Sequence, residues 1–159
     1  KLFHNHMTIE VILPYFDEKS PSFKKLVTEF RIKMFEEVAK SDLAGLIFTY
    51  VWQLDSISDC DFINTIVNIF ERANATVCYV ELEASTEERL KRNTSPNRLR
   101  YKPSKKDFDA SEKELLETDR KHILNSDKGE FRNKNHLKIN NTELNAEMAA
   151  EIIKERFNL

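Results

Sequence analysis

Gly45-Leu-Ile-Phe-Thr-Tyr-Val-Trp52 is a continuous apolar and β-prone run in a chain of 159 residues. A run of this kind is typical of a strand that is buried on both faces, as in a parallel sheet covered by helices. Residues 76–82, Thr-Val-Cys-Tyr-Val-Glu-Leu, predict a second strand, and His136-Leu-Lys-Ile-Asn140 predicts a short third one. Because helical patterns separate these runs, the sequence predicts an α/β domain with a mainly parallel sheet.

Several helix starts can be read from capping residues. Ser20-Pro21 combines a capping hydroxyl with proline at the first helical position, and apolar residues then recur at helical spacing to about Lys40. Asp59 is expected to open the next helix, Ser85-Thr-Glu-Glu88 is a capping box, and Asn145 caps the last helix. The other predicted elements are a short helix over Met7 to Phe16, a polar helix over Ser111 to Leu124 and a loop over Asn125 to Asn135.

Composition bounds the class of protein. A chain of this length suits one domain over residues 1–159. Its net charge of −2 argues against binding of nucleic acid by a broad positively charged surface. No apolar run approaches the roughly 18 residues of a membrane span. Cys60 and Cys78 lie far apart without metal-ligand spacing, which favours a reducing cytoplasm. Gly45 and Gly129 are the only glycines, so these 159 residues contain no glycine-rich loop.

The order of the segments resembles that of small P-loop kinases, a group that includes shikimate-kinase-like and nucleoside-monophosphate-kinase-like proteins and AAA-domain ATPases of unassigned substrate. The resemblance implies a three-layer parallel sheet flanked by helices, ATP and Mg²⁺ as cofactors, and transfer of the γ-phosphoryl group to a hydroxyl or phosphate of a small molecule. The segments that carry it are residues 1–8 as the end of the second strand, 45–52 as the third strand, 77–82 as the fourth, 85–92 with the basic segment 94–110 as the lid over ATP, and 136–144 as the fifth strand and the turn near adenine.

One departure from this family is large. The phosphate loop G-x-x-x-x-G-K-[ST], which cradles the ATP phosphates and holds Mg²⁺, is absent from these residues. In such a fold the first strand lies mid-sheet, so without it residues 45–52 and 76–82 would pair directly or leave backbone groups unsatisfied. We therefore expect an N-terminally incomplete domain that lacks roughly 25–30 residues. A relative that has lost the loop is the alternative.

Candidate acceptor-site residues lie where the first predicted strands end. His4-Asn-His6 ends a strand, and open α/β sheets bind ligands at the carboxyl ends of their strands. There His4 would orient or deprotonate an acceptor hydroxyl and His6 would bind the acceptor, unless the three residues are simply a polar turn. Tyr50 and Trp52 would stack on a planar acceptor, or pack in the core, and Thr49 would contact the substrate and metal shell.

The basic lid supplies the remaining candidates. By the resemblance, Arg92 lies against adenine, while Arg98 and Arg100 reach the phosphates, where negative charge develops. Asn141 and Thr142 would meet the adenine edge through backbone groups. The alternative for the arginines is a solvent-exposed basic loop, and a plain strand-to-helix turn explains Asn141 and Thr142 equally well. Arg31, on the long helix, would reach an anionic acceptor or lie on a solvated face.

Three other functions remain open from sequence alone. The chain could be a non-catalytic binding or regulatory protein that kept the fold and lost the phosphate loop. A metal-dependent hydrolase would use His4, His6 and a carboxylate, although the pair is incomplete as a metal site. RNA binding by the lid is disfavoured because no aromatic residues are interleaved with its cations. The expected partner is a small-molecule substrate rather than a membrane or a nucleic acid.

Overall fold

A computed structural model describes residues 1–127 and 135–159 of the protein. Both helices and strands are present, in an order that alternates along the chain. The elements are β1 (Leu2–His4), α1 (His6–Ile12), α2 (Pro21–Lys40), β2 (Ile47–Thr49), α3 (Ile57–Arg72), β3 (Tyr79–Glu83), α4 (Thr86–Asn93), α5 (Pro96–Tyr101), a 3₁₀ turn (Pro103–Lys105), α6 (Phe108–Lys121), β4 (His136–Asn140) and α7 (Ala146–Phe157).

The strands form two separate parallel pairs. In the first pair β1 lies beside β2, with Leu2 opposite Ile47 and His4 opposite Thr49. In the second pair β3 lies beside β4, with Tyr79 opposite His136. The described chain is therefore mixed α/β with two short two-stranded parallel sheets, and a single parallel sheet flanked by helices stays a prediction. The strands β2 and β3 do not pair with each other, so each has one partner strand among the described residues.

Capping residues set most helix boundaries. The side chains of Ser20, Ser85 and Asn145 each accept a hydrogen bond from the backbone N–H three residues later, which confirms the three predicted helix starts. Asp59 was predicted to open α3, but the helix begins two residues earlier, at Ile57, because Ser56 caps it. The predicted loop over Asn125 to Asn135 lies partly outside the described residues, since 128–134 are not among them.

The core lies on one face of the first strand pair. Phe3, Phe35 and Ile66 are buried there, and the ring of Phe48 packs 5.0 Å from that of Phe35, centroid to centroid. On the opposite face, the first residue of β2, Ile47, is 63% exposed. The prediction that this strand is buried on both faces is therefore wrong for the described chain: α2 and α3 cover one face, and no helix covers Ile47 on the other.

Residues 94–110 were predicted to be a lid-like loop, and the structure instead folds them into α5 and the 3₁₀ turn, followed by the start of α6. Ser95 caps α5 by accepting the N–H of Arg98 at 3.3 Å, and Pro96 occupies the first helical position. Residues 96–105 are called the strap below. Asp107 caps α6, so that helix begins three residues before the predicted Ser111.

The two halves of the chain meet beyond the ends of β2 and α6. The backbone N–H of Leu54 donates to the carbonyl of Ile123 at 2.8 Å, and the N–H of Ile123 donates to the carboxylate of Asp55 at 3.1 Å. No helix within residues 1–127 and 135–159 is both long and apolar enough to cross a membrane.

Candidate functional site beneath the strap

The strap lies over the carboxyl end of β1. His4, the last residue of β1, is 9% exposed, and the ring of Tyr101 packs edge-on against its imidazole at 5.6 Å between centroids. Ser104 fastens the strap to α1, because its hydroxyl donates to Glu10 Oε1 at 2.6 Å and its N–H donates to the same carboxylate. Since side chains alternate along a strand, the strap covers the face of the sheet that is opposite the aromatic core.

Two buried histidines line this site, and both are held in the neutral form. Burial and the charge of Lys102 lower the pKa of His4 despite the opposing effect of Glu10. Burial lowers the pKa of His6 to about 4, although its hydrogen bond to Glu10 acts in the opposite direction. His6 Nδ1 lies 3.1 Å from Glu10 Oε1, and the neutral ring donates to this carboxylate. In contrast, His4 Nδ1 is buried and has no hydrogen-bond partner in the described structure.

The strap also contributes a group of cations. Arg98 and Lys102 are one helical turn apart and half-buried, and the Nε of Arg98 has no partner among the described residues. Burial lowers the pKa of Lys102 to about 8, helped by the positive charges of Arg98 and Lys105. Glu114 is the carboxylate that opposes them, and it already accepts a hydrogen bond from Lys105 at 2.6 Å. Arg98, Lys102 and Lys105 therefore give the site three cations against two carboxylates, Glu10 and Glu114.

Arg31 is buried rather than on a solvated face. Its Nε donates to Thr8 Oγ1 at 2.9 Å, and one terminal nitrogen donates to the carbonyl of Asn5 at the same distance. The guanidinium lies 6.0 and 5.9 Å from the centroids of the Phe48 and Tyr50 rings. Arg31 thus ties α2 to the turn between β1 and α1 and fixes that turn beneath the strap.

The residues predicted at the end of the second strand lie outside this site. The hydroxyl of Tyr50 donates to Asp59 Oδ1 at 3.1 Å, and its ring stacks on Phe48, so the structure gives it a packing role. Burial and the nearby Asp59 raise the pKa of Tyr50 to about 12. Thr49 is exposed, although its carbonyl accepts the N–H of Asn5, and Trp52 is half-buried after β2. Stacking of Tyr50 or Trp52 on a ligand stays a prediction.

The residues predicted to bind adenine are brought together in the second half of the chain. Arg92 donates from one terminal nitrogen to the carbonyls of Asn141 and Thr142, at 2.7 and 3.2 Å. The Thr142 hydroxyl in turn accepts the N–H of Ser85. These contacts use the carbonyls of Asn141 and Thr142 to hold the β4–α7 turn against α4. Arg100 is exposed, whereas Arg98 is half-buried. The guanidinium of Arg100 lies 5.8 Å from the centroid of the Tyr101 ring.

Sequence reasoning missed three residues of the site, namely Lys102, Ser104 and Glu10. A signal for the strap was present, because Ser95-Pro96 repeats the helix start of Ser20-Pro21. A helix from Pro96 would have placed Arg98 and Lys102 on one face. Nothing in the sequence indicated that Glu10 would meet a residue 94 positions away.

The described residues contain a ligand-sized groove but no arrangement that meets the requirements of a metal site. Within residues 1–127 and 135–159, no group of three or more His, Cys, Asp or Glu side chains is placed to hold a metal ion. A groove of about 360 Å³ runs along α6, lined in part by Gln53, Lys113 and Glu117, and it does not include either histidine of the site. The groove along α6 and the residues beneath the strap are therefore two separate places in the described structure.

Comparisons with known proteins add no relative. No protein-family model, curated protein or solved structure matches the chain.

Proposed function

We propose that this chain forms the acceptor-binding part of a small-molecule kinase, which transfers the γ-phosphoryl group of ATP to a hydroxyl or phosphate acceptor with Mg²⁺ in the cytoplasm. The observation that carries the proposal is the placement of the strap over the carboxyl end of β1, with Tyr101 against His4. Ligands of open parallel sheets bind at this end of the strands, and a cover there excludes water from the reaction.

The chemistry assigned to each residue follows from its surroundings. His4 is neutral and buried with a free Nδ1, so it is suited to orient an acceptor hydroxyl and take its proton. Arg98 supplies positive charge next to the transferred group, where phosphoryl transfer needs it most. His6 is committed to Glu10 and acts as a positioning residue for the turn and the strap.

The ATP phosphates require a glycine-rich loop, which these 159 residues do not contain. The proposal therefore requires a loop from polypeptide outside them. The single partner of β2 and of β3 is compatible with a further strand between the two pairs. Such a strand would restore the three-layer parallel sheet that the family resemblance implies.

The test is a coupled assay of ADP release by the complete gene product across nucleotide, sugar-acid and aminoglycoside acceptors. We expect one acceptor class to stimulate turnover, and His4→Asn to lower kcat by about 10²–10⁴-fold, the usual contribution of a general base. Lys106→Met, an exposed change just beyond the strap, should leave turnover unchanged. No acceptor-stimulated ADP release in any class would refute the proposal.

A non-catalytic binding or regulatory protein is the second candidate. The observation that favours it is the lack of any phosphate loop in residues 1–159. It predicts ligand binding beneath the strap without nucleotide turnover, so the same acceptor panel separates it from the kinase.

A further inference from the structure

Two cations beneath the strap lack the partners that buried charges normally have. Lys102 is half-buried, and its Nζ has no hydrogen bond or ion pair among the described residues. The Nε of Arg98 is buried without an acceptor. Glu114 influences both cations, but its closest contact is to Lys105 at 2.6 Å.

Such an arrangement is unfavourable in the free protein. A charge removed from water loses hydration free energy, which an opposite charge or hydrogen bonds must offset. Here burial, followed by repulsion from Arg98 and Lys105, lowers the pKa of Lys102. His4 Nδ1 and Arg98 Nε are buried atoms without a hydrogen-bond partner among the described residues, whereas Lys102 is half-buried. The Tyr101 ring that packs on His4 lies between Arg98 and Lys102 in the strap, so a molecule bound beside His4 with an oxyanion on the two cations would satisfy these groups.

We propose that Arg98, Lys102 and His4 form a pocket for an oxyanion, a phosphate or carboxylate group of a small molecule, which binds in the absence of nucleotide. The inference rests on the proposed function only in that the oxyanion would belong to the acceptor. Arg98 and Lys102 provide charge-assisted hydrogen bonds to the oxyanion, while the Nδ1 lone pair of His4 stays available to a hydroxyl of the same molecule. The Tyr101 ring closes the pocket over His4.

Calorimetric titration of the full chain tests the pocket, with inorganic phosphate and malonate as separate probes. We expect at least one of the two to bind in a 1:1 complex with a Kd at or below about 1 mM. Lys102→Met and Arg98→Gln should each weaken binding by about tenfold or more, because each removes a hydrogen bond to a charged group. Lys106→Met is the matched control and should change the Kd less than about twofold.

A thermal melt separates a binding role from a structural one. Without ligand, Lys102→Met should melt at a higher temperature than the unmodified chain, because it removes an uncompensated charge from a partly buried place. The bound anion should raise the melting temperature of the unmodified chain and not that of the variant. A variant that melts lower without ligand would assign Lys102 a structural role and overturn the proposal.

The outcome for the pocket is distinct from the outcome for the kinase. Failure of both anions to bind, or displacement of bound phosphate by ADP in a one-for-one competition, would overturn the acceptor pocket even if phosphoryl transfer were found. Anion binding that depends on Lys102 would support the pocket even if no acceptor stimulated ADP release. The two assays therefore test the two proposals independently.

Discussion

Glu81 offers a sharp test of the electrostatics, because several described residues donate hydrogen bonds to both oxygens of its carboxylate. Its oxygens accept from the N–H and hydroxyl of Ser126, at 2.8 and 2.6 Å, and from Asn125 Nδ2 at 2.9 Å. Lys138 Nζ lies 3.3 Å away, and His136 Nε2 lies 3.1 Å away. Partial burial alone would raise the pKa of Glu81, but these hydrogen bonds lower it from an ordinary 4.5 to about 2.

The stability that this carboxylate contributes follows from the pKa difference. Each pKa unit corresponds to about 1.4 kcal/mol, so the charged form of Glu81 stabilises the fold by about 3 kcal/mol at neutral pH. Because the folded pKa is below the unfolded one, this stability is present above pH 4.5 and is lost as the pH falls towards 2. Glu81→Gln should therefore lower the free energy of unfolding by about 2–3 kcal/mol at pH 7 and by much less near pH 3.

Urea unfolding at pH 7, 4.5 and 3 measures this effect. Glu83→Gln is the matched control, because Glu83 lies on the same strand face but is 42% exposed and 3.8 Å from Lys138. Its cost should stay within about 0.5 kcal/mol at every pH. A cost for Glu81→Gln that does not shrink at low pH, or an equal cost for both variants, would refute the electrostatic account of this cluster.

Three further changes test the core, the strap and the β4–α7 turn. Phe35→Ala should cost about 3–5 kcal/mol in denaturant unfolding, because this ring is fully buried, whereas Phe30→Ala, at a site 47% exposed, should cost less than about 1 kcal/mol. Glu10→Ala should speed amide hydrogen exchange in the strap, because it removes the carboxylate that holds Ser104. Glu10→Gln keeps one acceptor oxygen and should have a smaller effect. Equal exchange in the unmodified chain and both variants would show that the contact between Glu10 and Ser104 does not hold the strap. Arg92→Met should cost about 1–2 kcal/mol in the same unfolding assay, because it removes the donor to two carbonyls, and a similar loss from the exposed Lys91→Met would remove that explanation.

Local signals in the sequence predicted three helix starts correctly, since capping depends on a side chain and the N–H groups of the next turn. Ser20, Ser85 and Asn145 illustrate this, and each accepts the expected hydrogen bond. The strap was missed because its cations lack an apolar periodicity, although Ser95 and Pro96 carried the same start signal. Apolar periodicity reports on burial in the core, and a helix that lies over a site need not have it.

The extent of the strands could not be read in the same way. The run from Gly45 to Trp52 predicted a strand with both faces buried, but pairing covers only Ile47–Thr49 and leaves Ile47 exposed. In the second pair, Val80 and Leu82 are 39% and 51% exposed on a face where β4 carries the buried Ile139. An apolar run encodes the preference of a strand for burial, whereas the layers that provide the burial come from other parts of the polypeptide.

Three residues of the candidate site were identified from the sequence, and the side chains that contact them were not. His4, His6 and Arg98 were identified because strand ends and basic lids are places where ligands bind. The partners that set their protonation, Glu10 and Lys102, depend on a contact across most of the chain, which only the folded structure brings about. Long-range contacts of this kind have no local sequence signal, so they limit what sequence reasoning can assign.

A comparison of two charged clusters in the same chain identifies the one suited to a ligand. Glu81 has hydrogen-bond donors around both of its oxygens, so its charge is neutralised by the protein itself and leaves nothing for a ligand to satisfy. Arg98 and Lys102 are half-buried and have no such partners among the described residues, although Asp and Glu are abundant in the chain. A structural role for these two cations would be served better by a carboxylate placed beside them or by an apolar side chain. Their lack of compensation is explained when the missing negative charge arrives with a bound molecule, and the strap then acts as the cover that removes this pair of opposite charges from water.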